Sequence, residues 1–126
     1  MTIPTPIKPL ALIIEDDEKL ATIFSGALSM AGFETARADD GRKGLDALKA
    51  RRPALVLLDL HLPEVSGDRI LHEIRADEAL SSMIVILATA DSAMADFLLD
   101  KSDYVLQKPI SFLQLRDLAE RLRKTL

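Results

Sequence analysis

The chain of 126 residues carries 16 Lys plus Arg against 20 Asp plus Glu, a formal net charge of −4 and a pI near 5.1. It has no cysteine, which excludes a disulfide scaffold, a thiolate nucleophile and any metal site built on sulfur. Its length suits one domain able to fold without a staple, its 48% hydrophobic and 29% charged residues exclude disorder over most of its length, and its mild acidity speaks against a nucleic-acid surface, which needs clustered Lys and Arg.

Residues 1–9 hold Pro4, Pro6 and Pro9, three of the six prolines, and read as a flexible Pro-rich leader to a domain spanning 10–126. They lack the basic start and apolar stretch of a signal peptide. The longest apolar runs fall far short of the ~18 residues of a membrane-spanning helix, so neither secretion nor a membrane anchor is expected and a cytoplasmic location fits. Leu10 to Ile14 is continuously apolar, the mark of a strand covered on both faces, and stops at Glu15-Asp16-Asp17. A helix follows over about Glu18 to Ala31, with Leu20, Ile23, Phe24, Ala27 and Leu28 on one stripe and Gly32 as its C-terminal stop.

Phe33 to Ala38 alternates like an edge strand. Asp40 is placed to cap a second helix, Gly41 to Arg51, with Pro53 just beyond its end. Ala54 to Leu58 is the next apolar strand and runs into Asp59. A third helix covers about Asp68 to Asp77 through Ile70, Leu71 and Ile74, and a strand over Met83 to Ala88 ends at Thr89. A short helix is expected over about Ser92 to Leu99, with Met94 and Phe97 in the core, then a strand over Tyr104 to Gln107 ending at Lys108-Pro109. Ser111 with Gln114 opens the last helix, whose Phe112, Leu115, Leu118 and Leu122 recur at helical spacing. The basic groupings Arg42-Lys43, Arg51-Arg52 and Arg121 with Arg123-Lys124 sit on or beside helices and are expected to face solvent, as is His72.

Alternating strands and helices imply an α/β fold, a (βα)5 three-layer sandwich around a parallel sheet. The common order 2-1-3-4-5 places the first and third strands side by side at the topological switch point. Glu15, Asp16, Asp59, Thr89 and Lys108 then gather at the carboxyl edge, on strands about 4.8 Å apart. Three carboxylates in so small a volume repel one another by about 4 kcal/mol per pair at 4 Å and an effective dielectric near 20. A cation is therefore required. Oxygen ligands without histidine or sulfur select a hard ion, and a few carboxylates with open water positions suit Mg²⁺. Lys108 supplies a second positive charge, pairing with Asp59 at rest, and Thr89 a hydroxyl. Such a pocket suits a phosphoryl group, with Asp59 as the nucleophile that would form an acyl phosphate. Each residue alone has an ordinary structural role: an acidic helix start, a loop cap, a turn threonine, a solvated lysine. Their coincidence at successive strand ends favours a site.

These residues resemble the receiver domain of two-component response regulators. The resemblance spans about Leu10 to the C-terminus and rests on Leu12-Ile13-Ile14-Glu15-Asp16-Asp17, on Leu57-Leu58-Asp59-Leu60-His61-Leu62-Pro63 with Gly67, on Ala88-Thr89-Ala90, and on Lys108-Pro109. It implies a flavodoxin-like fold, and a phosphorelay role in which Asp59 accepts a phosphoryl group from a histidine kinase or histidine phosphotransfer protein. Asp16, Asp59 and the backbone carbonyl of His61 would bind Mg²⁺, with Glu15 acting mainly through water. Thr89 and Lys108 would hold phosphoryl oxygens, and the Lys108-Pro109 peptide would be cis. Phosphorylation would shift the surface of the last two strands and their helices, a face also suited to a homodimer through the fourth helix, fifth strand and fifth helix.

The sequence also departs from the family. Val105 stands three residues before Lys108, where an aromatic switch residue is common, and Tyr104 lies one earlier, on the opposite face unless a bulge intervenes. The stretch from Thr89 to Lys108 is short, which predicts a truncated or mobile fourth helix. His61 and Asp91, each two residues beyond a site residue, are placed to flank the water that would hydrolyse an acyl phosphate; a loop histidine offering only its carbonyl is the simpler alternative. The chain ends with its fifth helix, as expected of a stand-alone module. Other functions are a constitutive receiver-like binding module, an aspartyl-nucleophile phosphatase, which usually has a second Asp where His61 stands, and, more remotely, a flavin protein, for which the acidic first loop lacks phosphate donors.

Overall fold

Apolar runs with no polar face to give to water become strands buried on both sides. In the computed structural model, which describes residues 7–126, they are β1 (Leu10–Ile14), β2 (Glu34–Ala38), β3 (Leu55–Asp59), β4 (Ile84–Thr89) and β5 (Tyr104–Gln107). All pair in parallel, in the order β2-β1-β3-β4-β5 expected from the alternation of elements. The connections are α1 (Glu18–Met30), α2 (Gly41–Arg51), α3 (Gly67–Ala76), α4 (Ser92–Phe97), a 3₁₀ turn over Leu99–Lys101, and α5 (Phe112–Arg123). Most of the leader expected over residues 1–9 lies outside the described residues. Of the rest, Ile7 is exposed, whereas the Pro9 carbonyl accepts a hydrogen bond from the Glu34 N–H at 2.9 Å.

Side chains alternate across a strand, so each strand feeds two cores. Ala11, Ile13, Leu55, Leu57, Ile86 and Leu106 pack with Phe24, Leu28, Leu115 and Ala119 of α1 and α5. Leu12, Ile14, Val56, Leu58, Val85 and Leu87 pack with Leu48, Ile70, Leu71, Ile74 and Leu98 on the other face. Burying each such aliphatic side chain is worth roughly 1.5–3 kcal/mol, and the two cores hold the sheet rigid beneath its loops.

Helix ends follow from local chemistry. Asp17, Asp40, Asp91 and Ser111 cap α1, α2, α4 and α5, each side chain accepting from a backbone N–H three residues on. Helix α1 ends in a Schellman motif. Gly32, at φ 101°, donates to Ser29 O, and Phe33 to Leu28 O. Helix α2 ends at Arg52, itself left-handed at φ 45°, before Pro53. Gly41 and Gly67 are required for close approach. A Cβ on Gly41 would overlap the Val65 carbonyl, and one on Gly67 the Asp59 carbonyl. These contacts, with Gly41 N–H to Pro63 O at 3.0 Å, lock the loop that follows Asp59.

Two helical stripes are narrower than their spacing predicts. Ile23 is 42% exposed and Phe97 76% exposed, although both were expected inside. Helix α1 closes its core with Ala21, Phe24, Ala27 and Leu28. Helix α4 has only six residues and buries Ala95, while Leu98 just after it turns inward. The truncation expected of this helix is therefore observed.

Candidate functional site

The carboxyl ends of β1, β3, β4 and β5 bring the polar residues together. Glu15 follows β1 at the switch point, with its N–H bonded to Ala38 O of β2 at 3.1 Å. It is 1% exposed, an unusual place for a carboxylate unless it has partners. Its Oε1 accepts from Lys108 Nζ at 2.7 Å and its Oε2 from the Asp17 N–H at 3.4 Å. Asp59 ends β3 and is 6% exposed. Its Oδ1 accepts from the His61 N–H at 3.2 Å, and its Oδ2 lies 3.5 Å from Lys108 Nζ. Lys108 thus spans both acids but sits closer to Glu15, where the sequence suggested Asp59.

Lys108 is held in turn by its N–H, which donates to Thr89 O at 2.9 Å and carries the β4–β5 pairing past the strand end. Its peptide with Pro109 is cis, as the resemblance implied. Thr89, fully buried, ends β4 one residue beyond Ala88, the partner of Asp59 in the sheet. Its Oγ1 accepts from the Asp91 N–H at 3.0 Å. His61, in the loop after β3, places Nε2 3.3 Å from Asp91 Oδ2. His72 is exposed on α3 and takes no part in this cluster.

Burial, partly opposed by the Lys108 hydrogen bond and reinforced by Asp59, pushes the Glu15 carboxyl up to about 7. Burial also pulls the Lys108 ammonium down, but the hydrogen bond to Glu15 and the charge of Asp59 outweigh it, leaving Lys108 above the ordinary lysine range. The lysine therefore stays charged, and near neutrality the Glu15 carboxyl is partly protonated.

Carboxylate oxygens of Glu15, Asp16 and Asp59 lie within 4.8 Å of one another. The donor set is all oxygen, as a hard divalent ion requires. Asp16 is exposed, and among the described residues its carboxylate accepts no hydrogen bond, so it is available as a ligand. The residues present fit such an ion.

One contributor has no signal in the pattern. Arg37 of β2 donates from Nε and Nη2 to Glu15 O at 3.2 and 3.1 Å, and from Nη2 to Asp16 O at 3.2 Å. It fastens the backbone that carries both acids. From sequence, an arginine on an alternating edge strand reads only as a solvated charge.

The arrangement matches known proteins. A family model described as "Response regulator receiver domain" covers residues 11–120. The polar-differentiation response regulator DivK of Brucella anthropi is 35% identical over 85 residues, 68% of this chain and 69% of that protein. Among solved structures, the Francisella response regulator 1452 receiver domain aligns at TM-score 0.82 and 25% identity, covering 94% of this chain and 98% of that one. The signal receiver domain of a signal transduction histidine kinase from Syntrophus aciditrophicus aligns at TM-score 0.83 and 26% identity, covering 94% and 92%.

Proposed function

Since the chain belongs to the response regulator receiver family, we propose that it is a phosphorylatable switch in which Asp59 accepts a phosphoryl group from a phosphohistidine on a histidine kinase or histidine phosphotransfer protein. The observation that carries this reading is the ammonium of Lys108 set between Glu15 and Asp59, at 2.7 and 3.5 Å, beside a cluster of three acids. In the transfer, an Asp59 carboxylate oxygen bonds to phosphorus while the phosphorus–nitrogen bond breaks. The electron pair leaves with the imidazole, which takes up a proton. An acyl phosphate remains on Asp59.

Asp59 is held for this attack from both sides, Oδ1 by the His61 N–H and Oδ2 by Lys108. Lys108 is the group that offsets charge on the transferring oxygens, and the Thr89 hydroxyl is the further donor. Asp16 and Asp59, with the His61 backbone carbonyl, would hold Mg²⁺, with Glu15 acting through water. The ion supplies neutralisation of the phosphoryl oxygens. In the reverse sense, water attacks phosphorus and the carboxylate departs, so the chain turns over only its own phosphoryl group. The pairing of His61 with Asp91 sets a polar gate beside that water's approach. Output passes to a protein partner through α4, β5 and α5, where exposed Tyr104 and Leu113 leave apolar surface for a target or a second copy of the chain.

Phosphoramidate with Mg²⁺, followed by intact-mass measurement, tests the reading. One added phosphoryl group is expected, absent without Mg²⁺ and absent in Asp59→Asn. Labelling that survives in Asp59→Asn, or sustained hydrolysis of a simple phosphate ester, overturns it; the latter favours an aspartyl phosphatase.

A further inference from the structure

Charge is divided unevenly between the two ends of the sheet. The stretches at or next to its amino edge on the β1 and β2 side, residues 7–9, 29–34, 49–54 and 120–126, hold seven Lys or Arg against two acids, whereas the rest of the chain holds nine against eighteen. We propose that this edge is a peripheral docking surface for an anionic lipid bilayer, with Lys8, Arg51, Arg52, Arg123 and Lys124 against the headgroups and Ile7 and Met30 in the interface. Nothing in this contact requires phosphorylation of Asp59.

Hydrogen bonds and one ion pair gather these groups around Glu34, the first residue of β2. Its N–H donates to the carbonyl of Pro9, next to Lys8, at 2.9 Å, and its carboxylate lies 3.7 Å from Arg51 Nη2. Arg123 donates from Nε to Gly32 O at 3.4 Å, two residues before Glu34. The Ala54 N–H donates to Leu10 O at 2.9 Å, which brings Arg52 near the entry to β1. Lys8, Arg51, Arg52 and Lys124 are exposed and Arg123 is half-buried. A base in the last turn of a helix complements the macrodipole, which accounts for Arg51 and Arg123 without any ligand. It does not account for Lys8 or Arg52, which stand outside the helices. Arg52 holds the left-handed position after α2, at φ 45°, where glycine is the unstrained choice. A long cationic side chain thus occupies a place where the backbone favours none.

Apolar side chains stand at the same end. Ile7 is 94% and Met30 62% exposed. Side chains this exposed have too few neighbours to form a socket for a peptide residue, whereas a bilayer interface yields around them. Asp77 and Glu78, before β4, put acid on the other half of the edge, so the bilayer meets the β2 side. Glu15, Asp16 and Asp59 lie at the far end of strands five residues long, about 17 Å away and beyond the ~8 Å screening length at physiological salt. They do not oppose the contact, and the acidic site faces away from the lipid. No helix among the described residues is long and apolar enough to cross a membrane, so the association is peripheral.

Flotation of the full chain tests this, with vesicles of phosphatidylglycerol and phosphatidylcholine in equal parts against phosphatidylcholine alone, at low and physiological salt. Binding to the anionic vesicles only, weakened by salt, is expected. Arg52→Gly and Lys8→Gln should each weaken it about fivefold, and Met30→Ser about threefold. Arg42→Gln removes an equal charge at the start of α2, by the carboxyl edge, and should leave binding unchanged. Because Arg52→Gly relieves the left-handed strain, it should melt no lower than the parent, which separates lost binding from a damaged fold. Equal binding to phosphatidylcholine alone, indifference to Arg52→Gly and Lys8→Gln, or an equal loss in Arg42→Gln overturns the proposal. So does saturable binding of an acidic Leu/Glu peptide without binding to anionic vesicles, which would assign the edge to an acidic protein segment.

Discussion

At the scale of single residues, the site is a balance between burial and charge. Glu15 is almost wholly buried against Lys108, and its carboxyl rises to about 7 because desolvation outweighs the ion pair. A carboxyl whose folded pKa exceeds its unfolded value of about 4.5 stabilises the fold fully below that value and loses this contribution as pH climbs through about 7. The metal-free chain should therefore lose stability between about pH 5 and pH 8 relative to Glu15→Gln, read from urea midpoints. Deprotonation also makes the site more negative, so Mg²⁺ should bind more tightly across the same interval in the parent, a slope that Glu15→Gln flattens. Arg37 gives a prediction of definite sign. If it acted only as a nearby positive charge, Arg37→Ala would tighten Mg²⁺ binding. Because it fastens the Glu15 and Asp16 carbonyls, the same change should weaken binding by about tenfold, as for outer-shell partners of metal ligands. Isothermal titration distinguishes the two.

At the scale of elements, the short α4 needs support from elsewhere. Arg75 at the end of α3 donates to Lys101 O at 2.7 Å, to Ser81 O and Met83 O at 2.9 Å each, and to Asp103 Oδ2 at 3.0 Å. Asp103 Oδ2 also accepts from the Val85 N–H at 2.8 Å. One guanidinium thus joins α3, the start of β4 and the entry to β5, and fixes the 3₁₀ turn that replaces the rest of α4. Arg75→Ala leaves these acceptors without their donor and should cost about 2–3 kcal/mol in a denaturant titration, with faster amide exchange centred on residues 98–105. A change near zero would reduce Arg75 to an ordinary surface charge. The β4–β5 register runs unbroken, Ile86 opposite Tyr104 and Leu87 opposite Val105, so no bulge exchanges their faces. Val105 packs into the core beneath α4, while Tyr104 is 40% exposed. Any signal from Thr89 therefore has Asp91 and the cap of α4 as its hydrogen-bonded route, rather than an aromatic ring turning inward at position 105.

At the scale of the whole molecule, the fold was legible because its strands are buried on both faces. Leu12-Ile13-Ile14 and Leu55 to Leu58 leave no polar side for water, and polar residues at their ends mark where the sheet stops. Periodicity does not report how wide a helix's buried stripe is, so Ile23 and Phe97 carry the spacing of core residues and stand in solvent. Nor does it report pairings that only the sheet order creates. Lys108 meets Glu15 across 93 positions, and Arg37 meets the Glu15 carbonyl across 22. The convergence of Glu15, Asp16, Asp59 and Lys108 could be expected once the strands were ordered, but the closeness of Lys108 to Glu15 depends on distances no pattern contains. Occupation of Asp59 should be felt beyond the pocket. Backbone NMR of the Mg²⁺-loaded chain before and after beryllofluoride tests it most directly. Shifts at Glu15, Asp16 and Asp59 that extend through Asp91 and α4 to β5 are predicted; an unchanged spectrum at Asp59, or shifts that stop at the pocket, would contradict it.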